Sequence, residues 1–178
     1  MDTGLWLTRG SVWIALSLYV AGEVLRATGR NDRSVGRARW LNAVGCGFFL
    51  VHVACAFHFH HHWSHAEALA ETARQTAELV GWDWSGGLFF NYAFTLLWLG
   101  EVIWSWADPM SHAMERRWMT WSVRGFFLFM MVNAAVVFVP GRMRWFGLFL
   151  CLTLTACWLL TGMPAGNRIR SRSPNIGS

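Results

Sequence analysis

Long apolar runs constrain this chain most, because several approach the ~20 residues that an α-helix needs to cross a hydrocarbon layer. With no water there to satisfy backbone N–H and C=O groups, such runs must be helices that close their own hydrogen bonds. Five spans are expected, at residues 11–25, 41–59, 88–107, 119–139 and 145–163. The expected class is an all-α integral membrane protein, with one five-helix membrane domain over 1–163 and a disordered cytoplasmic tail over 164–178. Apolar residues make up 54% of the chain, with thirteen Trp and thirteen Phe, which excludes an ordinary soluble domain of this size. The first run is close to a signal peptide in length. Asp2 precedes Arg9, however, and no A-x-A site follows, so it is expected to be retained as a helix.

Charge sets the expected orientation. Arg26, Arg30, Arg33, Arg37 and Arg39 lie between the first two spans, Arg116 and Arg117 between the third and fourth, and Arg168, Arg170 and Arg172 in the tail. Between the second and third spans Arg74 stands alone among Glu67, Glu71, Glu78 and Asp83. The positive-inside rule then places the N-terminus outside and the tail in the cytoplasm of a bacterial inner membrane, with Arg142 and Arg144 on the minority side. On this reading the net charge of +5 reflects topology and not a nucleic-acid partner. The expected partners are the lipid bilayer and other membrane proteins or further copies of the chain. The four cysteines all fall inside apolar runs and form no CxxC, so they read as small apolar fillers.

The loop between spans two and three has its own periodicity. His65 to Val80 holds good helix formers, neither Gly nor Pro, and a thin stripe of Leu69, Ala73, Ala77 and Val80. A short interfacial helix over 64–80 is expected at the outer face, with Trp82 and Trp84 returning the chain at the membrane surface. The sequence also matches itself at a shift of 78, laying residues 9–59 on 87–137 without a gap. Gly22-Glu23 meets Gly100-Glu101, and Arg39-Trp40 meets Arg117-Trp118. Spans one and two are therefore expected to repeat in spans three and four as a duplicated helical hairpin. Ala43 and Gly47, four apart, are the small residues expected to allow close helix packing.

Three groups of residues could carry chemistry. Six of the seven histidines fall between His52 and His65. On one continuous helix His58, His61, His62 and His65 would share a face, and imidazoles four apart can hold one Zn, Cu or Fe ion together. The competing reading is a set of solvated interfacial imidazoles. His52 lies near mid-span, and the repeat places Met130 opposite it at equal depth. That pair could ligate a b-type haem, although a polar side chain bonded to a neighbouring helix accounts for His52 as well. Glu101 and Arg124 share a depth on adjacent spans and are expected to pair. Glu23 then needs water, Asn42 or a proton, and the three together suggest either a structural ion pair or a proton path.

The patterns HxxHH (His58 to His62) and HHxxH (His61 to His65) resemble the histidine boxes of membrane di-iron desaturases and hydroxylases. That family spreads several boxes along the chain and faces them to the cytoplasm. One patch on the expected outer side does not carry its di-iron site over. From sequence, the leading expectation is a transition-metal or haem site at the outer face, serving metal handling or redox. The alternatives are a small proton, ion or solute transport protein, or an accessory subunit of a larger membrane complex. Whether any reaction is catalysed is left open by these residues.

Overall fold

Local capping decides where the helices begin. The Asn31 side chain accepts the Ser34 N–H at 2.8 Å while the Ser34 hydroxyl receives the Asn31 N–H at 3.3 Å, a reciprocal capping box. Helix α2 (Asp32–Phe59) therefore starts well before residue 41 and takes in Arg33, Arg37 and Arg39, which the apolar pattern alone assigns to a loop. Arginine is a good helix former, so the helix outruns its apolar segment. The computed structural model describes residues 3–29, 31–113 and 116–161; the expected tail over 164–178 lies outside them. The remaining elements are α1 (Thr3–Thr28), α3 (His65–Val80), α4 (Gly87–Ala107), a short α5 (Pro109–Ala113), α6 (Arg117–Val132), a π-helical turn (Asn133–Val137) and α7 (Met143–Thr161). Among the described residues there is no strand.

Among the described residues four helical stretches are long and apolar enough to cross a membrane: Asp32–Phe59, Gly87–Ala107, Trp118–Val137 and Met143–Leu160. Helix α1 is longer than the expected first span but carries Arg9, Glu23 and Arg26 and is not among the four. Large apolar side chains such as Leu96, Trp145, Phe149, Leu159 and Leu160 are exposed on the bundle surface, consistent with contact with lipid.

Helices α1 and α2 form the most extensive contact among the described elements. A Cβ on Gly22 would lie 3.2 Å from the Ala38 carbonyl, and one on Gly45 would lie 3.2 Å from the Ala15 carbonyl. These glycines allow the two backbones to meet. The expected pair, Ala43 and Gly47, is not the contact, since the space beside Gly47 is open. Helices α4 and α6, the expected counterpart of α1 and α2, are not packed the same way: Gly100 is open, Val123 stands where the expected repeat would have a counterpart of Gly45, and α4 and α6 touch far less.

An aromatic layer fills the middle of the bundle. Tyr19 of α1 stacks on Phe127 of α6 at 4.9 Å, Phe94 packs on Phe127 at 4.7 Å, and Phe49 meets Trp98 at 5.3 Å. Trp98 is wholly buried and donates its indole N–H to Asn42 Oδ1 at 2.8 Å.

Candidate functional site

The aromatic layer divides the interior in two. Along α1 the order is Val12 and Leu16, then Tyr19, then Glu23. Along α6, in the opposite direction, it is Met131 and Met130, then Phe127, then Arg124. A cavity lies on the side of the α2–α3 turn, and a cluster of charges lies on the other.

The α2–α3 turn breaks up the expected histidine face. Helix α2 ends at Phe59, His60 caps it through an N–H bond to the Ala56 carbonyl, and α3 begins only at His65. Between them His62 and Trp63 take left-handed backbone angles, with φ of 46° and 60°. Two successive side chains in that region reverse the chain, and each costs about 1–3 kcal/mol that the surrounding contacts must offset. Four imidazoles spread over two helices and a reversal cannot share one face. His58 Nδ1 accepts the Trp63 indole N–H at 3.3 Å, His62 lies 3.3 Å from Glu67, and His65 stacks on Tyr92 with its Nδ1 2.9 Å from the phenol oxygen. Among the described residues no three His, Cys, Asp or Glu side chains converge well enough to hold a metal ion. The reading of His58, His61, His62 and His65 as one ligand set is therefore corrected. The Ser64-x-x-Glu67 pattern marks the break: Ser64 Oγ accepts the Glu67 N–H at 3.2 Å and starts a new helix.

A different set of groups gathers at this end. An open depression of about 400 Å³ is lined by His60, His61, His62, Glu67, Ala70, Glu71 and Arg74. Arg74 clamps Glu71 with two bonds of 2.6 and 2.9 Å and also pairs with Glu78, which holds the Glu71 carboxyl below its usual range. His61 is half-buried and its Nδ1 has no partner among the described residues. Burial holds its imidazole below the usual histidine range, and the neighbouring His60 acts in the same direction.

Behind the depression lies a narrower cavity of about 200 Å³. Its walls come from six elements. Val12 and Leu16 belong to α1, Phe49, His52, Val53 and Ala56 to α2, and Leu88, Asn91, Tyr92 and Thr95 to α4. Met130 and Met131 of α6 with Ala134 of the π turn form another wall, while Glu71, Thr72 and Gln75 of α3 lie across the mouth. His61 and Glu71 line both the depression and this cavity. His52 donates its Nδ1–H to the Thr8 carbonyl at 2.8 Å, since a carbonyl can only accept. In the neutral ring Nε2 is then the bare nitrogen, and it makes no hydrogen bond among the described residues. His52 and Met130 thus share one cavity, whose volume falls below the ~300–1,000 Å³ of pockets for drug-sized ligands.

On the far side the charges pair differently from the expectation. Glu101 bonds His112 at 3.1 Å, and Glu23 takes Arg124. Glu23 Oε2 accepts from Arg124 Nη2 at 3.2 Å and from the Trp158 indole at 3.0 Å, while Arg26 lies 3.5 Å from Oε1. The Arg124 guanidinium also sits over the rings of Trp158 and Trp121, and its Nη1 is buried without a partner among the described residues. Equal depth does not make Glu101 and Arg124 neighbours, because α6 turns its Arg124 face toward α1 and α7. Asn42, the fallback partner suggested for Glu23, is taken by Trp98.

No family model, characterised protein or solved structure matches the chain. The site must be read from its own chemistry. The sequence offers Glu67 or Glu71 as a carboxylate ligand but does not single out Gln75, Tyr92 or Thr95, although Gln75 and Glu71 at i+4 spacing on an amphipathic helix mark one polar face.

Proposed function

We propose that the protein is a small-solute binding and transport protein of a bacterial inner membrane, taking its ligand from the outer aqueous phase into a half-channel that ends at His52. The observation that carries this reading is the double role of His61 and Glu71, which line both the open depression and the cavity behind it. In this reading α1 is a fifth span, the N-terminus lies outside and the histidine end is the outer face. Its charges do not argue against crossing, because Glu23 and Arg26 lie toward the Arg-rich end and Glu23 is neutralised by Arg124. The bundle is a diverged pair of hairpins. Helix α2 ends at Phe59 and the π turn at Val137, 78 residues further on, which supports the duplication. The aromatic layer is the closed gate between the outer cavity and the inner charge cluster.

The test is accessibility. In a protein whose four native cysteines are replaced by alanine, a single Ala56→Cys is expected to react with a membrane-impermeant thiol reagent added from outside. Reaction from the inner side only, or none from either side, would refute the half-channel. A Gly100→Cys control on the lipid-facing side of α4 is expected to stay unreactive to the same reagent.

A further inference from the structure

The inner end of the cavity has a ligand set of a distinct chemical kind. His52 presents an imidazole whose Nδ1 is anchored to the Thr8 carbonyl, leaving Nε2 as the free lone pair. An imidazole held in this way by a backbone carbonyl is the arrangement that orients metal-ligating histidines. Met130 and Met131 line the same cavity, both buried, and the π-helical turn that follows them contributes Ala134. Single-turn π insertions recur at functional sites because they re-aim the side chains around them. The methionine side chain has three rotatable bonds, so two neighbours on one helix can turn their sulfurs toward a common point.

From this juxtaposition we propose that the cavity binds a soft monovalent transition-metal cation, Cu(I), through His52 Nε2 and the thioethers of Met130 and Met131. Thioether ligands select Cu(I) over the harder divalent ions, whereas imidazole alone does not discriminate. Charge leads to the same choice. Among the described residues Glu71 is the one acidic residue on the cavity wall, it lies at the mouth, and Arg74 already neutralises it. A dication held by neutral ligands in a low-dielectric interior would go uncompensated, and the desolvation penalty rises steeply with charge. A monovalent ion with three soft ligands avoids most of that penalty. The histidines and carboxylates of the outer depression form a weak collecting vestibule on the way in, and the ion is taken up as Cu(I) with no redox step. This assignment rests on the half-channel reading above.

The experiment uses the full chain, purified in detergent without oxygen, with its four cysteines replaced by alanine so that thiols do not compete. Cu(I) is titrated against a coloured chelator, and Ag(I) serves as a redox-inert second probe. One Cu(I) per chain is expected, with X-ray absorption reporting sulfur as well as nitrogen neighbours. Met130→Leu with Met131→Leu conserves volume and apolarity, and is expected to weaken Cu(I) at least ~tenfold while leaving Zn(II) binding unchanged. His52→Gln is expected to do the same, and His58→Ala, outside both the depression and the cavity, to have no effect. Cu(I) affinity that survives the double methionine change, a spectrum without sulfur, or a loss caused by His58→Ala would overturn the proposal. If the Ala56→Cys protein labels from outside but Cu(I) does not bind, the half-channel stands and the copper assignment falls.

Discussion

Replacing Glu23 with Gln is expected to damage the protein far more than the same change at Glu101. Glu23 is buried against two cations, with Arg124 at 3.2 Å and Arg26 at 3.5 Å, and the Glu23 and Arg124 side chains are only 7% and 6% exposed. Removing one partner of such a pair costs about 3–5 kcal/mol, because the other charge is left buried and uncompensated. Arg124 has little to fall back on. Its Nη1 already lacks a partner among the described residues, and the ring faces of Trp158 and Trp121, each worth about 2 kcal/mol to a desolvated cation, cannot replace a carboxylate's hydrogen bond. Arg26 is nearer the surface and can turn to water. Glu23→Gln should therefore lower stability by about 3 kcal/mol. Glu101 bonds His112 near the helix end, and a glutamine carbonyl can accept the same N–H, so Glu101→Gln should cost about 1 kcal/mol or less. The assay is unfolding of purified protein in detergent, followed by circular dichroism and Trp fluorescence. A double-mutant cycle with Arg124→Met should give a coupling energy of about 2 kcal/mol or more for Glu23 and close to none for Glu101. Equal losses from the two glutamines, or coupling of Arg124 to Glu101, would refute the pairing.

Other outcomes follow from the packing and the turn. Gly45→Val places a branched side chain against the Ala15 carbonyl and should separate α1 from α2 at a cost of about 1–3 kcal/mol, whereas Gly47→Ala, facing open space, should be neutral or slightly stabilising in the same melts. His61 is held below its usual range, so the unfolded chain binds its proton more readily than the folded one. Its contribution is fully present above the unfolded value of about 6.5 and is lost as pH falls through the lower folded value. Amide-exchange protection over residues 60–72, corrected for the intrinsic exchange rate at each pH, should fall between pH 7 and pH 5. A His61→Gln variant should lose that dependence, and an unchanged pH profile in it would assign the effect elsewhere.

Much of the architecture could be read from the chain because lipid leaves few choices. The apolar runs gave helices. The stretch from His65 to Val80 formed a helix over those residues, since its helix formers, its lack of Gly and Pro and its following Gly81 are all local signals. The end of α2 was also locally encoded, in Ser64-x-x-Glu67, yet the histidine spacing suggested a continuous face. A helical periodicity is meaningful only inside one helix, and His62 and Trp63 lie outside both. The depth of His52 could be placed from sequence, while Tyr92 and Gln75 became site residues only once α3 folded back over the mouth.

The sequence alone determined that this is an all-helical chain with membrane-length apolar helices, where its charges concentrate, and which polar residues would be buried at a cost. The tertiary structure decided which of those residues meet. Depth along a helix follows from residue number, but azimuth depends on how each helix rolls against its neighbours, and that is set by contacts such as Gly22 with Ala38 and Gly45 with Ala15. Small residues on α1 and α2 brought those two backbones together and turned Glu23 toward Arg124. Helices α4 and α6 lack that glycine contact and touch far less, and the cavity beside Met130 lies where they face α1 and α2.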